Sequence, residues 1–156
     1  MRNGGLPDRK HPHRLAPGAY CAPGEVVSVS IHATRDAHLI EGCTPDHILA
    51  AMHSTARRLG VRVHAYCVMP GHFHVVCSVT PDGGDVALWV RRFKSASSRR
   101  AGIALWQRSY WDRHARRSDD VLAMVEYVIA NPERKGLCQV WTEWPWSWSE
   151  WHSQSP

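Results

Sequence analysis

The chain has 156 residues, 44% of them hydrophobic, and a formal net charge of +5, which describes a single domain able to bury a core without disulfide support. It holds no run near the roughly 18 apolar residues of a membrane span. Its opening "MRNGGLPDRKHPHRLAPGAY" lacks the apolar centre of a secretory signal, and its five cysteines, an odd number with no C-x-x-C pair, favour a reduced, cytoplasmic chain over a disulfide framework.

Residues 1–24 carry Pro, Gly and His without periodicity, so an irregular N-terminal arm is expected. "EVVSVSIHA" then alternates apolar and polar residues, which puts Val27, Val29 and Ile31 on one face of a first strand. "TPDHILAAMHSTARRLG" is punctuated as a helix: Thr44 suits the N-cap, Pro45 the first helical position and Gly60 the stop. Ile48, Leu49, Met52, Ala56 and Leu59 form its apolar stripe. "VRVHAYCVM" and "HFHVVCSV" are two strands joined through a Pro-Gly turn of the type II kind, with a loop free to exceed two residues.

"DVALWVRRFKSASSRR" is a second helix with Val86, Trp89, Val90 and Phe93 facing inward. "ALWQRSYWDRHARR" holds a fourth strand and a basic loop. "SDDVLAMVEYVIANP" is a third helix, capped by Ser118, favoured by Asp119 and Asp120 at its positive end, and stopped by Pro132. The order strand, helix, strand, strand, helix, strand, helix is the split β-α-β plan of ferredoxin-like α+β folds: an antiparallel sheet with helices, plus an added C-terminal helix carrying Tyr127. One domain over residues 25–140 is expected, with a Trp-rich tail over residues 141–156 packing onto the sheet.

The basic residues cluster. Arg91, Arg92, Lys94, Arg99, Arg100, Arg108, Arg113, Arg116 and Arg117 fall in a span whose one acid is Asp112. That is either a solvated basic face or the footprint of a polyanion partner such as nucleic acid. Trp106, Tyr110 and Trp111 are interleaved with Arg108 and Arg113, the pattern of base-stacking platforms, although Trp106 and Trp111 read equally well as core residues of the fourth strand.

Two constellations carry chemistry. In "CVMPGHFHVVCSV", His72 and His74 are two residues apart on a strand and so project to one face, with Phe73 on the other. The pair is either half of a metal site or two unrelated polar-face histidines. In the third helix, Tyr127 and Asn131 share a face four residues apart, while Val121, Val125, Val128 and Ile129 form the opposite, apolar side. Two imidazoles and a side-chain oxygen such as that of Asn131 suit Mg²⁺ or Mn²⁺, which polarises a phosphate oxygen. A phenol attacking a phosphodiester would form a phosphotyrosine link and conserve the bond energy for rejoining. Three further histidines, His32, His64 and His114, come near this site or not depending on strand register.

"AYCVMPGHFHVV", "LWQRSYWDRHA" and "EYVIANPERKGL", in that order, resemble the HUH single-tyrosine transposases, and most nearly their REP-associated branch. The closing "WPWSWSEW" is similar to that family's tryptophan-serine tail. The resemblance covers roughly residues 25–150. It implies that His72 and His74 bind the metal, that Asn131 completes the site, and that Tyr127 is the nucleophile. It also implies single-stranded DNA with imperfect, REP-like hairpins as substrate, and a monomer, with the dimer of the insertion-sequence relatives left open. Arg91, Arg92, Lys94, Arg99, Arg108, Trp106, Tyr110, Trp111 and Arg113 are then candidate DNA contacts. Gly71 stands where family members often carry Asn, and Glu133 where they carry Val. The rival readings are a non-cleaving DNA-binding protein, a zinc-stabilised interaction domain, though the usual zinc-ligand spacings are missing, and a replication initiator or relaxase.

Overall fold

The computed structural model describes residues 20–152. Most of the expected N-terminal arm, residues 1–19, lies outside the described residues. Of the arm's described residues, Tyr20 is buried and Pro23 bridges to Val79.

The elements follow the expected order. They are β1 (Val26–His32), α1 (Thr44–Arg58), β2 (Val61–Val68), β3 (His72–Val79), α2 (Val86–Ala101), β4 (Trp111–His114), α3 (Ser118–Ile129), a single helical turn α4 (Asn131–Arg134) and β5 (Ser147–Ser149). The sheet is antiparallel with order β4-β1-β3-β2-β5. Its first four strands make the ferredoxin-like arrangement, an α+β fold. The tail supplies the fifth strand at the β2 edge.

Strand alternation splits the molecule into two layers. Val27, Val29, Ile31, Phe73, Val75 and Cys77 face α1 and α2, and they build the main core with Ile48, Met52, Trp89 and Phe93. The other face carries a smaller cluster in which Ala65, Cys67, Met69 and Val76 meet Met124, Val125, Val128 and Ile129 of α3. The stripes read from the sequence found a partner layer, except that in α3 Met124 takes the buried place expected of Val121; Trp141 and Trp144 of the tail pack beside α3 on the second face.

Three local details differ from expectation. Thr44 does not cap α1: a turn at Gly42 ties the Thr44 N–H to Glu41 O, and His47 N–H goes to Cys43 O, so backbone carbonyls serve the helix start. Ser118 does not cap α3: the N-cap is Arg117, whose carbonyl accepts from the Asp120 N–H (3.1 Å), while Asp120 Oδ2 accepts from the N–H groups of Arg116 and Arg117, both at 3.1 Å. The β2–β3 loop spans residues 69–71, and Gly71 does not take the positive φ of a type II turn. Its shape is set by long-range partners, Leu39 N–H on Pro70 O and Ala33 N–H on Gly71 O.

Candidate active site

Strand register decides what lies under α3. On that face His72 of β3 stands opposite His32 of β1; His74 stands opposite Ser30, which in turn faces Trp111 of β4; and Val76, Ser28 and Arg113 form the next row. The site floor is thus a lattice of three imidazoles, two serine hydroxyls, an indole and a guanidinium. The His72 and His74 rings are 4.6 Å apart, and His32 stacks on His72 at 5.6 Å. Of the three extra histidines, His32 joins the site. His64 does not: it bridges Glu150 (2.6 Å) and Ser78 (2.8 Å) at the β5 side. Nor does His114, which contacts Glu25 from the opposite sheet face.

His74 is 8% exposed. Burial, then the neighbouring His72, His32 and Arg134, push its pKa down to about 3, and burial with His32 and Lys135 lowers that of His72. Both imidazoles are therefore neutral, the form that offers a lone pair. His74 Nδ1 is 2.6 Å from Ser30 Oγ, while His74 Nε2 is buried with no hydrogen-bond partner. An unmade hydrogen bond at such a position costs about 1–3 kcal/mol, so the site keeps a donor atom in reserve at a price in stability.

Tyr127 lies in α3 and Asn131 opens the short turn α4 that follows it. α3 buries Met124, Val125, Val128 and Ile129, which leaves Tyr127 58% exposed on the other side of the helix. The Arg134 guanidinium lies 3.8 Å from its ring centroid and donates to Tyr127 O at 2.8 Å. Asn131 is buried. Its Nδ2 donates back to the carbonyls of Tyr127 and Val128 (3.2 and 3.5 Å), so the amide oxygen is the end the helix does not engage. Among the described residues, no group of three or more His, Cys, Asp and Glu is arranged to hold a metal ion.

A cleft of about 450 Å³ runs between α3 and the β1–β4 edge, lined by Tyr127, Ser28, Ser30, Trp111, Arg113 and Asp120 among others. Trp111 and Arg113 are thus brought to the tyrosine. The other basic candidates are not. Arg91, Lys94, Arg108 and Tyr110 line a second cleft of about 470 Å³ beside α2, and Lys94 Nζ is engaged by the carbonyls of Gln107 (2.6 Å) and Arg108 (3.0 Å). Arg92 and Arg99 line a third cleft of about 460 Å³ with Arg58 and Arg100 of the α1–α2 layer. Trp106 must be corrected as a stacking platform. It is buried against Phe73 and Phe93, with its indole N–H on Ser97 Oγ at 2.8 Å, so no base reaches its face.

Two contributors were missed in the sequence. Arg134 sits two residues past the YVIANP stretch, and helical spacing could have placed it over Tyr127. Ser30 carried no signal beyond its place on the polar face of β1.

The chain is thus built as a ferredoxin-like sheet whose histidine pair lies on the face that the tyrosine-bearing helix α3 covers. Residues 27–131 match the model of the IS200-like transposase family, more than half of the chain, and the chain belongs to that family. It is 26% identical over 86 residues to a REP-associated tyrosine transposase of Escherichia coli K12, covering 54% of this chain and 52% of that protein. A protein of Haemophilus influenzae named to the same group is 21% identical over 113 residues, covering 63% and 64% respectively. The matched part thus spans between half and two thirds of these relatives. A solved REP-associated tyrosine transposase bound to a REP hairpin shares the fold, with a TM-score of 0.73 at 22% identity over 82% of this chain and 78% of that one. These relatives carry the name of the branch that the three sequence motifs resemble. Among the described residues no helix is long and apolar enough to cross a membrane.

Proposed function

We propose that the chain is a metal-dependent, single-stranded DNA endonuclease and strand transferase that cuts and rejoins DNA beside REP-like hairpins through a 5′-phosphotyrosine link on Tyr127. The observation that carries this reading is the buried, unpartnered Nε2 of His74 beside the neutral His72, on the sheet face that α3 roofs with Tyr127. His72, His74 and the amide oxygen of Asn131 would hold a Mg²⁺ or Mn²⁺ ion, which supplies Lewis-acid polarisation of a phosphate oxygen.

The chain's own groups do the rest. The Tyr127 oxygen attacks phosphorus and gives its proton to solvent; the bond to the 3′ oxygen breaks, and that oxygen takes a proton from solvent and leaves as a hydroxyl. The diester survives as phosphotyrosine, so a second 3′ hydroxyl displaces Tyr127 without ATP. Arg134 holds the tyrosine ring and sets a positive charge beside the incoming phosphate. Trp111 and Arg113, on the wall of the same cleft, offer a stacking face and a phosphate contact to an unpaired strand. The arginines of the other two clefts offer sequence-independent contacts to the rest of the DNA. The protein acts as a monomer in this reading.

The test is incubation with a hairpin-bearing single strand and Mn²⁺. A protein–DNA adduct that survives denaturing gels is expected, and Tyr127→Phe should abolish it while leaving binding intact. An adduct that persists in Tyr127→Phe moves the nucleophile elsewhere. Metal-independent binding with no adduct at all supports a non-cleaving DNA-binding protein instead.

A further inference from the structure

Ser30 is drawn into the site by neither charge nor motif. It lies in β1 between His74 on one neighbouring strand and Trp111 on the other, on the face under α3. Its hydroxyl oxygen is 2.6 Å from His74 Nδ1, and the residue lines the cleft shared with Tyr127. A neutral imidazole carries a single N–H. On Nε2 that proton would find no acceptor, since this atom is buried and partnerless. On Nδ1 it meets Ser30 Oγ. The hydrogen bond therefore favours the Nδ1–H tautomer and leaves the Nε2 lone pair free. Having accepted from His74, Ser30 keeps its own hydroxyl proton for a different partner, and its open side is the cleft.

We propose that Ser30 is a positioning residue for His74: it locks the Nδ1–H tautomer, presents the Nε2 lone pair to a divalent ion, and turns its own hydroxyl proton toward the phosphate in the cleft. This deepens the metal-centre reading above and rests on it. A hydrogen-bond partner behind a metal-bound histidine fixes ring orientation and raises ligand basicity, and its loss typically weakens metal binding about 10–100-fold. Ser30 is suited to that place because β1 is paired on both sides, so its side chain has little freedom to drift from His74.

The experiment reads the tautomer and the metal separately, on the full chain. Nitrogen chemical shifts of His74 in metal-free protein should report Nδ1–H in the wild type, a changed tautomer in Ser30→Ala, and the wild-type tautomer again in Ser30→Thr, which restores the hydroxyl on a strand-favouring side chain. Mn²⁺ titrated alone should bind Ser30→Ala about 10–100-fold more weakly than the wild type, with Ser30→Thr close to the wild type. An Nε2–H tautomer in the wild type, or a Ser30→Ala protein with unchanged tautomer and unchanged Mn²⁺ affinity, overturns the proposal. Failure of the underlying metal reading has its own signature: no Mn²⁺ binding by the wild type while Ser30→Ala still alters the tautomer. That result removes the ion and leaves the Ser30–His74 lock standing.

Discussion

Acidifying the metal-free protein from pH 7.5 to 5.5 should cost it about 1.4 kcal/mol of folding stability through His74 alone. Burial, helped by His72, His32 and Arg134, holds this imidazole at about 3 in the folded chain, against an ordinary value of 6.5. As pH falls, the unfolded chain therefore takes up the proton first. The contribution is fully present above the unfolded value, fades as pH passes below 6.5, and is lost by about pH 3. At pH 5.5 the unfolded state is stabilised by RT ln(1 + 10), or about 1.4 kcal/mol, while the folded state is still unprotonated; over the whole window the loss approaches about 5 kcal/mol. His72 and His53 are lowered in the same direction, mainly by burial, and add to the slope. Urea unfolding in the presence of a chelator at both pH values, on the wild type and on His74→Gln, isolates the contribution: the variant should lose about 1.4 kcal/mol less on acidification. An identical pH dependence in the two proteins would refute the claim that His74 is buried and neutral.

The two tryptophans flanking the basic loop should behave oppositely. Trp106→Ala opens a hole beside Phe73 and Phe93 and should cost about 3–5 kcal/mol in chemical denaturation, whereas Trp111→Ala, at a position 44% exposed, should leave stability near wild type and weaken single-stranded DNA binding by about 1–3 kcal/mol in a fluorescence titration. A stable Trp106→Ala protein with impaired DNA binding would reverse the assignment. Two glycines divide in the same way. Gly60 has φ +65°, and a Cβ there would lie 1.9 Å from Gly83 O, so Gly60→Ala should lower the unfolding free energy by at least about 1–3 kcal/mol. Gly71, beside the histidine pair, has nothing within 4 Å of a Cβ, so Gly71→Ala should stay within about 0.5 kcal/mol of wild type.

Much of the plan was legible one element at a time. β1 announced itself because Val27, Val29 and Ile31 alternate with Ser28 and Ser30, and that alternation is the sheet's own period. The inward sides of α2 and α3 followed from helical spacing, and with them the exposure of Tyr127. β5 was hidden: the three residues Ser147–Ser149 are too few to show a period, and they become a strand by pairing with Ala65, Tyr66 and Cys67. The caps of α1 and α3 were misread for a related reason. Thr44 and Ser118 have suitable side chains, but each helix starts one residue earlier, at Cys43 and Arg117, whose carbonyls take the His47 and Asp120 N–H groups.

By itself, the sequence determined which residues share a face within each strand and helix, because that depends on covalent geometry and backbone period alone. His72 with His74, and Tyr127 with Asn131, were joined at that level. The tertiary structure decided everything that needs two segments to meet. Register brought His32 and Ser30 to the histidine pair and sent His64 and His114 away; packing took Trp106 into the core and distributed the arginines over three clefts. A one-residue slip in pairing would exchange the two faces of a strand, and contacts made across the sheet, far apart in the chain, are what hold that register.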